Sequence, residues 1–184
     1  RPRLLAHPNI FEQKRAQGLS VCSPCSLEQA NKQFSVTLSR TPVKISDHLT
    51  FLGEIPRVTD FESKNPVGEA LRDGTWRADL LPDDTALAYT CDKGFYIITG
   101  CSHSGICNII EYAKQICGGC LCGVIGGFHL FGKSLQLEKT ISYFQQQPKP
   151  LSLYPCHCTD FAARAELNSK LPIQEVGVGL QLIW

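Results

Sequence analysis

The hydrophobic positions of this chain fall into two periods. Ile106, Ile109, Ile110, Ala113 and Ile116 recur on one helical face, which predicts a helix over Ser104–Cys117 closed by Gly118-Gly119. Leu137, Ile141 and Phe144 mark a second helix over Leu135–Gln147, with Ser134 as N-cap and Pro148 as its stop. Asp160 caps a third that runs through Lys170, and Ser26–Lys32 reads as a helical turn. Strand patterns occupy Arg3–Ala6, Phe34–Leu38, His48–Gly53, Ala86–Cys91, Gly94–Thr99, Cys120–Gly126 and Leu151–Tyr154. The fourth and fifth of these form a hairpin around Asp92-Lys93, and two short strands around Gly177–Gly179 are expected to close the chain. Thr59–Pro82 is polar and broken by Asn65-Pro66, Gly68, Asp73-Gly74 and Leu81-Pro82, so it reads as a long irregular loop. Strand and helix alternate through the second half, the signature of an α/β fold.

Composition narrows the class. The 184 residues fit one domain, 1–184, and 43% apolar with 19% charged residues describes a globular chain. A net charge of +1 gives no reason to expect nucleic acid or an anionic membrane as partner. No apolar run approaches the ~18 residues that span a bilayer. The first residues, RPRLLAHPNIFEQK, lack the form of a secretory signal, so the ten cysteines are expected to be reduced thiols in the cytoplasm. There is no methionine, even at position 1, which fits a piece of a longer chain. Cys22–Cys25 and Cys117–Cys120 have CxxC spacing, yet lie too far apart for a local zinc ribbon and read as free thiols. A thiol-redox role is disfavoured because Cys117–Cys120 falls at a helix C-terminus, where the dipole opposes a thiolate.

Candidate chemistry sits at the ends of strands. Three successive strand–helix units each deliver one histidine just past the strand: His103, His129 and His157. Such strands lie side by side with right-handed crossovers, so their carboxyl ends open on one sheet edge, where α/β folds place ligands. Three neutral imidazoles converging there suit zinc, iron or manganese and leave a coordination position open. For any one of them a hydrogen bond to a carbonyl is the plainer explanation, but the threefold repetition favours metal. Cys101, Cys156 and Cys158 flank the histidines. On an extended segment Cys156 and Cys158 face together, away from His157, and the histidine is the preferred ligand. His7 has no neighbour at ligand spacing and reads as structural, and Asp83-Asp84 reads as a turn before a strand. No GxSxG, GxxxxGKS or HExxH string occurs.

Taken together and in order, Phe51–Arg57 (FLGEIPR), Asp83–Leu87 (DDTAL), Gly100–Ile106 (GCSHSGI), Gly126–Leu130 (GGFHL) and Pro155–Thr159 (PCHCT) resemble the metallo-β-lactamase-fold hydrolases. The branch they resemble is the one related to dihydropterin-ribofuranosylaminobenzene phosphate synthase. The resemblance implies an α/β fold of the αβ/βα sandwich type, with one or two divalent ions on its edge in the complete fold: zinc, or else manganese or iron. It implies His103 and His157 at the metal centre, His129 at or beside it, and, by motif position, Glu54 and Arg57 facing the substrate. The implied reaction is attack by metal-activated water on a phosphoester or related bond of a small molecule, with phosphorylated molecules among the candidates. The family takes its first ligands from an HxHxDH motif that these residues lack, so the chain is expected to be a C-terminal portion of the fold, incomplete at its N-terminal side. Weak metal binding, little or no hydrolase activity and self-association through an exposed apolar face are then expected. Asp160 stands where that branch usually has glycine. The competing expectation is a non-catalytic metal-binding or interaction domain that kept this half of the fold.

Overall fold

The computed structural model describes residues 1–183. In chain order it contains β1 (Arg3–Ala6), β2 (Lys14–Ala16), β3 (Leu19–Ser20), α1 (Leu27–Gln33), β4 (Ser35–Leu38), β5 (Val43–Lys44), β6 (Leu49–Phe51), β7 (Gly68–Arg72) and β8 (Thr75–Asp79). Then follow β9 (Ala86–Cys91), β10 (Gly94–Thr99), α2 (Ile106–Cys117), β11 (Leu121–Gly126), α3 (Leu135–Gln145), β12 (Ser152–Pro155) and α4 (Phe161–Lys170).

Alternation along the central hairpin decides how the main sheet is covered. The sheet runs β12-β11-β10-β9-β6-β5, with β10, β11 and β12 parallel and β9 antiparallel to β10. Ala86, Ala88, Phe95 and Ile97 are fully or nearly buried in one cluster with Ile106, Ile109, Ile110 and Ala113 of α2. Helix α3 adds Leu137, Ile141 and Phe144, and α4 adds Ala163 and Leu167. Burial of each large aliphatic or aromatic side chain is worth about 1.5–3 kcal/mol, so this one face carries most of the driving force. The alternate residues Leu87, Tyr89, Tyr96 and Ile98 remain half-buried on the other face.

A second sheet, β3-β2-β7-β8, is tied to the first by a buried cation. Lys14 on β2 pairs with Asp79 at 3.1 Å and with Asp83, just ahead of β9. Lys14 and Asp79 are almost inaccessible to solvent, so each charge depends on the other for compensation. Strands β1 and β4 pair in parallel as a third, two-stranded sheet.

Most predicted elements are present, with ends shifted by a residue or two. Two expectations need correction. Thr59–Pro82 holds the β7–β8 hairpin, which turns at Asp73-Gly74, both with positive φ (51° and 74°). Among the ten residues of its two strands only Ala70 and Asp79 are buried, so no apolar alternation announces the hairpin. Around Gly177–Gly179 no strand forms among the described residues, and Val178 and Ile183 are fully exposed. The segment finds no sheet edge there, so its apolar alternation has nothing to pack against.

Gly126 ends β11 at φ 138°, and a Cβ on it would overlap the Thr99 carbonyl oxygen on β10. Gly126→Ala is therefore expected to cost about 3 kcal/mol in urea denaturation, positive φ and overlap combined. Gly132→Ala, at φ 56° with open space around it, should cost only about 1 kcal/mol.

Candidate metal centre

Strands β10, β11 and β12 end side by side, and the turns beyond them are laced together by backbone. Gly127 N donates to Gly100 O (2.7 Å), Cys156 N to Gly126 O (2.9 Å), and Leu130 N to Cys158 O (3.1 Å). Phe128 N adds a bond to Thr159 Oγ1 at 3.0 Å. Gly127 makes this approach feasible, since a Cβ there would stand 2.8 Å from Gly100 O and 3.2 Å from Cys101 Cα. Three other residues at this edge carry positive φ without being glycine: Ser102 (61°), His129 (49°) and His157 (48°). Each costs of order 1 kcal/mol, and such strain collects where a site is built.

The turns bring His103 and His129 together, ring centroids 4.3 Å apart. Nδ1 of each is buried with no hydrogen-bond partner among the described residues. An orphaned buried nitrogen costs about 1–3 kcal/mol, and here two of them share one small space. Burial, followed by the charge His103 would carry, holds the His129 pKa below its ordinary value. This favours the neutral imidazole, the form that ligates metal. Asp84 is fixed nearby: one carboxylate oxygen accepts from Ser104 N at 2.9 Å and from Ser104 Oγ. It is thus neither a bare turn residue nor a solvated one. A cleft of about 400 Å³ opens onto His103, Asp83 and Asp84, walled by Lys14, Ala16, Val21, Val67 and Leu81. The unpartnered nitrogens beside a fixed carboxylate fit a divalent cation.

His157 shares a group with Cys101 and Cys158, in which one ligand atom from each lies within 4.8 Å of the others. The two thiols are 3.2 Å apart. The expectation that Cys158 faces away from His157 is overturned because the segment is not extended: β12 stops at Pro155, and the positive φ of His157 breaks the alternation. Burial, followed by the neighbouring Cys158, pushes the Cys101 thiol up to about 12.

The remaining candidates are built into the framework. Glu54 accepts from Arg40 at 3.1 Å and lies 3.3 Å from His7 Nε2. His7 is buried, and its Nδ1 accepts the Asn9 amide to cap a one-turn helix, Pro8–Phe11, so it is structural as expected. Arg57 donates to the carbonyls of Ile55, Leu80 and Leu81 at 2.7–2.9 Å and to Ser63 Oγ at 3.2 Å. It clamps two loops. All ten cysteines are free, and the CxxC pairs form no metal-sized group among the described residues. Asp160 caps α4 through Ala163 N and also holds Gly132 N.

One residue that sequence reasoning missed stands behind the His103 turn. Glu62 is 1% exposed and accepts from the amides of Cys107 (3.0 Å) and Asn108 (2.9 Å), the free donors at the start of α2. Gly105, the N-cap position, offers no side chain for this, and its φ of 96° leaves room only for Glu62. Asn108 returns the tie: Oδ1 accepts from Val58 N and Thr59 N, and Nδ2 donates to Ser104 O, all at 2.8 Å. A cap 45 residues away in sequence has no local signature. The one available signal is Asn108, a polar residue on an otherwise apolar helix face.

Burial raises the Glu62 pKa, and the amide donors offset this only in part. A carboxyl raised in the fold stabilises fully below its unfolded value, ordinarily 4.5, and loses that contribution as pH rises through the folded value. The wild-type urea midpoint should therefore fall, relative to Glu62→Gln, as pH increases above about 4.5. Parallel profiles for the two proteins would contradict this account.

The comparisons with known proteins follow the same lines. No protein-family model matches the chain. It is 33% identical over 168 residues to an uncharacterized protein of Methanocaldococcus jannaschii, covering 90% of this chain and 62% of that one. It is 31% identical over 172 residues to the 7,8-dihydropterin-6-methyl-4-(β-D-ribofuranosyl)-aminobenzene-5′-phosphate synthase of the same organism, covering 87% and 58%. The chain thus spans about three fifths of the length of these curated relatives. The crystal structure of Tm1679, a metal-dependent hydrolase of the β-lactamase superfamily, matches with a TM-score of 0.86 at 25% identity, covering 99% of this chain and 71% of that one.

Proposed function

This chain carries the metallo-β-lactamase fold and is related to metal-dependent hydrolases of that superfamily; on that footing we propose that its His103–His129 edge serves hydrolysis of a phosphoester or related bond in a small molecule. The observation that carries the reading is the pair of buried, unpartnered Nδ1 atoms on rings 4.3 Å apart, one of which, His103, lines a cleft together with Asp84. His103 and His129 would hold a divalent ion, with His157 at the neighbouring turn; zinc suits imidazole best, and manganese or iron are the alternatives. When bound, such an ion supplies Lewis acidity and a water acidic enough to lose its proton near neutral pH. The chain's own residues do the rest. Ser104 holds Asp84 so that its charge faces the histidines, and Glu62 holds the turn that carries His103. Lys14, at the cleft wall, is balanced by Asp79 and Asp83. The name of the phosphate synthase relative supports a phosphorylated substrate.

A cytoplasmic setting without nucleic acid or membrane partners belongs to the same proposal, and among the described residues no helix is long and apolar enough to cross a membrane. So does a partial ligand set. The residues here contain no HxHxDH string, so the chain alone is proposed to bind metal weakly, to turn over slowly and to self-associate through its half-covered sheet face and exposed Val178 and Ile183. Calorimetric titration with Zn²⁺ or Mn²⁺ should show weak binding that His103→Ala and His129→Ala each reduce by roughly tenfold, or about 1.4 kcal/mol. Equal binding by wild type and both variants would refute the site. Fast phosphodiester turnover by the 184-residue chain would refute the partial ligand set, and tight metal binding without turnover would favour a non-catalytic binding domain.

A further inference from the structure

We propose that Cys91 and Cys122 form a two-thiolate position for a soft monovalent ion of the copper(I) class, at the end of the main sheet away from the histidine turns. Strands β10 and β11 each run six residues from this end to those turns, about 20 Å at the usual strand rise. The inference uses no residue of the hydrolase site and does not rest on that reading.

The sheet itself brings the two thiols together. Cys91 ends β9 opposite Gly94 of β10, and Cys122 is the residue skipped where β11 pairs Leu121 with Phe95 and then Gly123 with Tyr96. Strand β10 therefore runs between them, and the position it presents there is bare. A Cβ on Gly94, at φ 137°, would overlap the Cys120 carbonyl oxygen, so the close approach of the two chain segments requires glycine. One row further along, the Tyr96 ring lies over Gly123, whose would-be Cβ stands 3.0 Å from Tyr96 Cδ1, and closes the side toward the middle of the sheet. Cys122 donates to Lys93 O at 3.3 Å in the hairpin turn and is in hydrogen-bonding contact with Cys91. Burial, followed by Cys122 and Cys91, holds the Tyr96 hydroxyl above its ordinary pKa, which places both thiols on the Tyr96 face.

Strand spacing then selects the ligand. Neighbouring strands stand about 4.8 Å apart, so backbones two strands apart are separated by about 9.6 Å. A disulfide needs Cα atoms within about 7 Å of one another. Two thiolates in line across an ion, with metal–sulfur bonds of about 2.3 Å, hold their sulfurs about 4.6 Å apart and leave each side chain about 2.5 Å to cover. A cysteine side chain spans that distance. Among the described residues the pair belongs to no group of three ligand atoms within 4.8 Å, so a tetrahedral zinc set is not assembled here, whereas copper(I) is soft and satisfied by two thiolates. Burial, followed by the neighbouring Cys91, holds the Cys122 thiol above its ordinary pKa. It is thus a poor nucleophile for disulfide exchange, while a bound ion displaces both thiol protons to solvent. A cavity of about 300 Å³ lined by Cys91, Lys93, Gly94, Cys117 and the exposed Cys120 gives the ion a way in.

The test is differential alkylation. The reduced chain receives one equivalent of copper(I) without oxygen, then N-ethylmaleimide, and each cysteine is read by mass spectrometry against the metal-free protein. Cys91 and Cys122 are expected to lose their reactivity together, with Cys22, Cys25 and Cys117 unchanged. Cys91→Ser should restore alkylation of Cys122 and weaken copper(I) binding, measured by competition with bicinchoninate, by roughly tenfold or more, with circular dichroism unchanged. Cys122→Ser should do the same for Cys91, and His103→Ala should leave both protected. Protection of another pair at one equivalent, Cys101 with Cys158 or Cys22 with Cys25, would overturn the proposal. So would protection of Cys122 that persists in Cys91→Ser, or a Cys91–Cys122 disulfide formed with oxidised glutathione, since thiols that close together could not hold an ion in line between them.

Discussion

Close approach of backbone at Gly126-Gly127 is the constraint on which this edge of the molecule depends. Three parallel strands end there, and their turns must come within hydrogen-bonding distance of one another without side chains in between. Gly126 has a φ of 138°, a conformation that L side chains rarely adopt, and Gly127 sits against Gly100 and Cys101 with no room for a methyl group. The bonds that result each contribute only about 1 kcal/mol net. Their larger effect is geometric: they set where His103, His129 and the Cys101–Cys158 pair stand relative to one another. The site is therefore a property of strand ends in register, not of any one motif.

Behind that edge, buried charge does the joining. Glu62 brings a carboxylate to the amide donors of α2, which favours it through hydrogen bonds and the helix dipole while burial opposes it. Lys14 does the same between the two larger sheets, with Asp79 and Asp83 as its counterions. Removing one partner from either arrangement leaves an uncompensated group in a dry place, which costs far more than the pair gains over an apolar replacement. Lys14 thus links the small sheet to the cleft wall, and Glu62 adds polar contacts to α2 from the loop over 58–62, whose Phe61 also packs against the core. Arg57, spent on three carbonyls, belongs to this same set of braces.

The edge itself is chemically divided. On one side are imidazole nitrogens and a fixed carboxylate, facing a cleft with an apolar wall. On the other are two thiols and an exposed imidazole. Donor softness differs sharply across a few ångströms, which lets one short segment, Gly100–Ser104, contribute Cys101 to one group and His103 to the other. Ser102, between them, carries the positive φ that separates their directions.

Much of this was legible in one dimension. Helical periodicity placed α2, α3 and α4, apolar runs placed β9 to β12, and topology put His103, His129 and His157 on one edge, because these signals arise from which residues must leave water. The motifs carried the family resemblance for the same local reason. What the tertiary structure decided was everything that depends on a partner distant in sequence. The β7–β8 hairpin has almost no apolar face to reveal it, and Glu62 caps a helix 45 residues away. His157 joins Cys101 and Cys158 because of a backbone angle that residue identity does not announce. Hydrophobic burial is written in the order of residues, whereas the pairing of polar groups and the direction of each turn exist only once the chain has closed on itself.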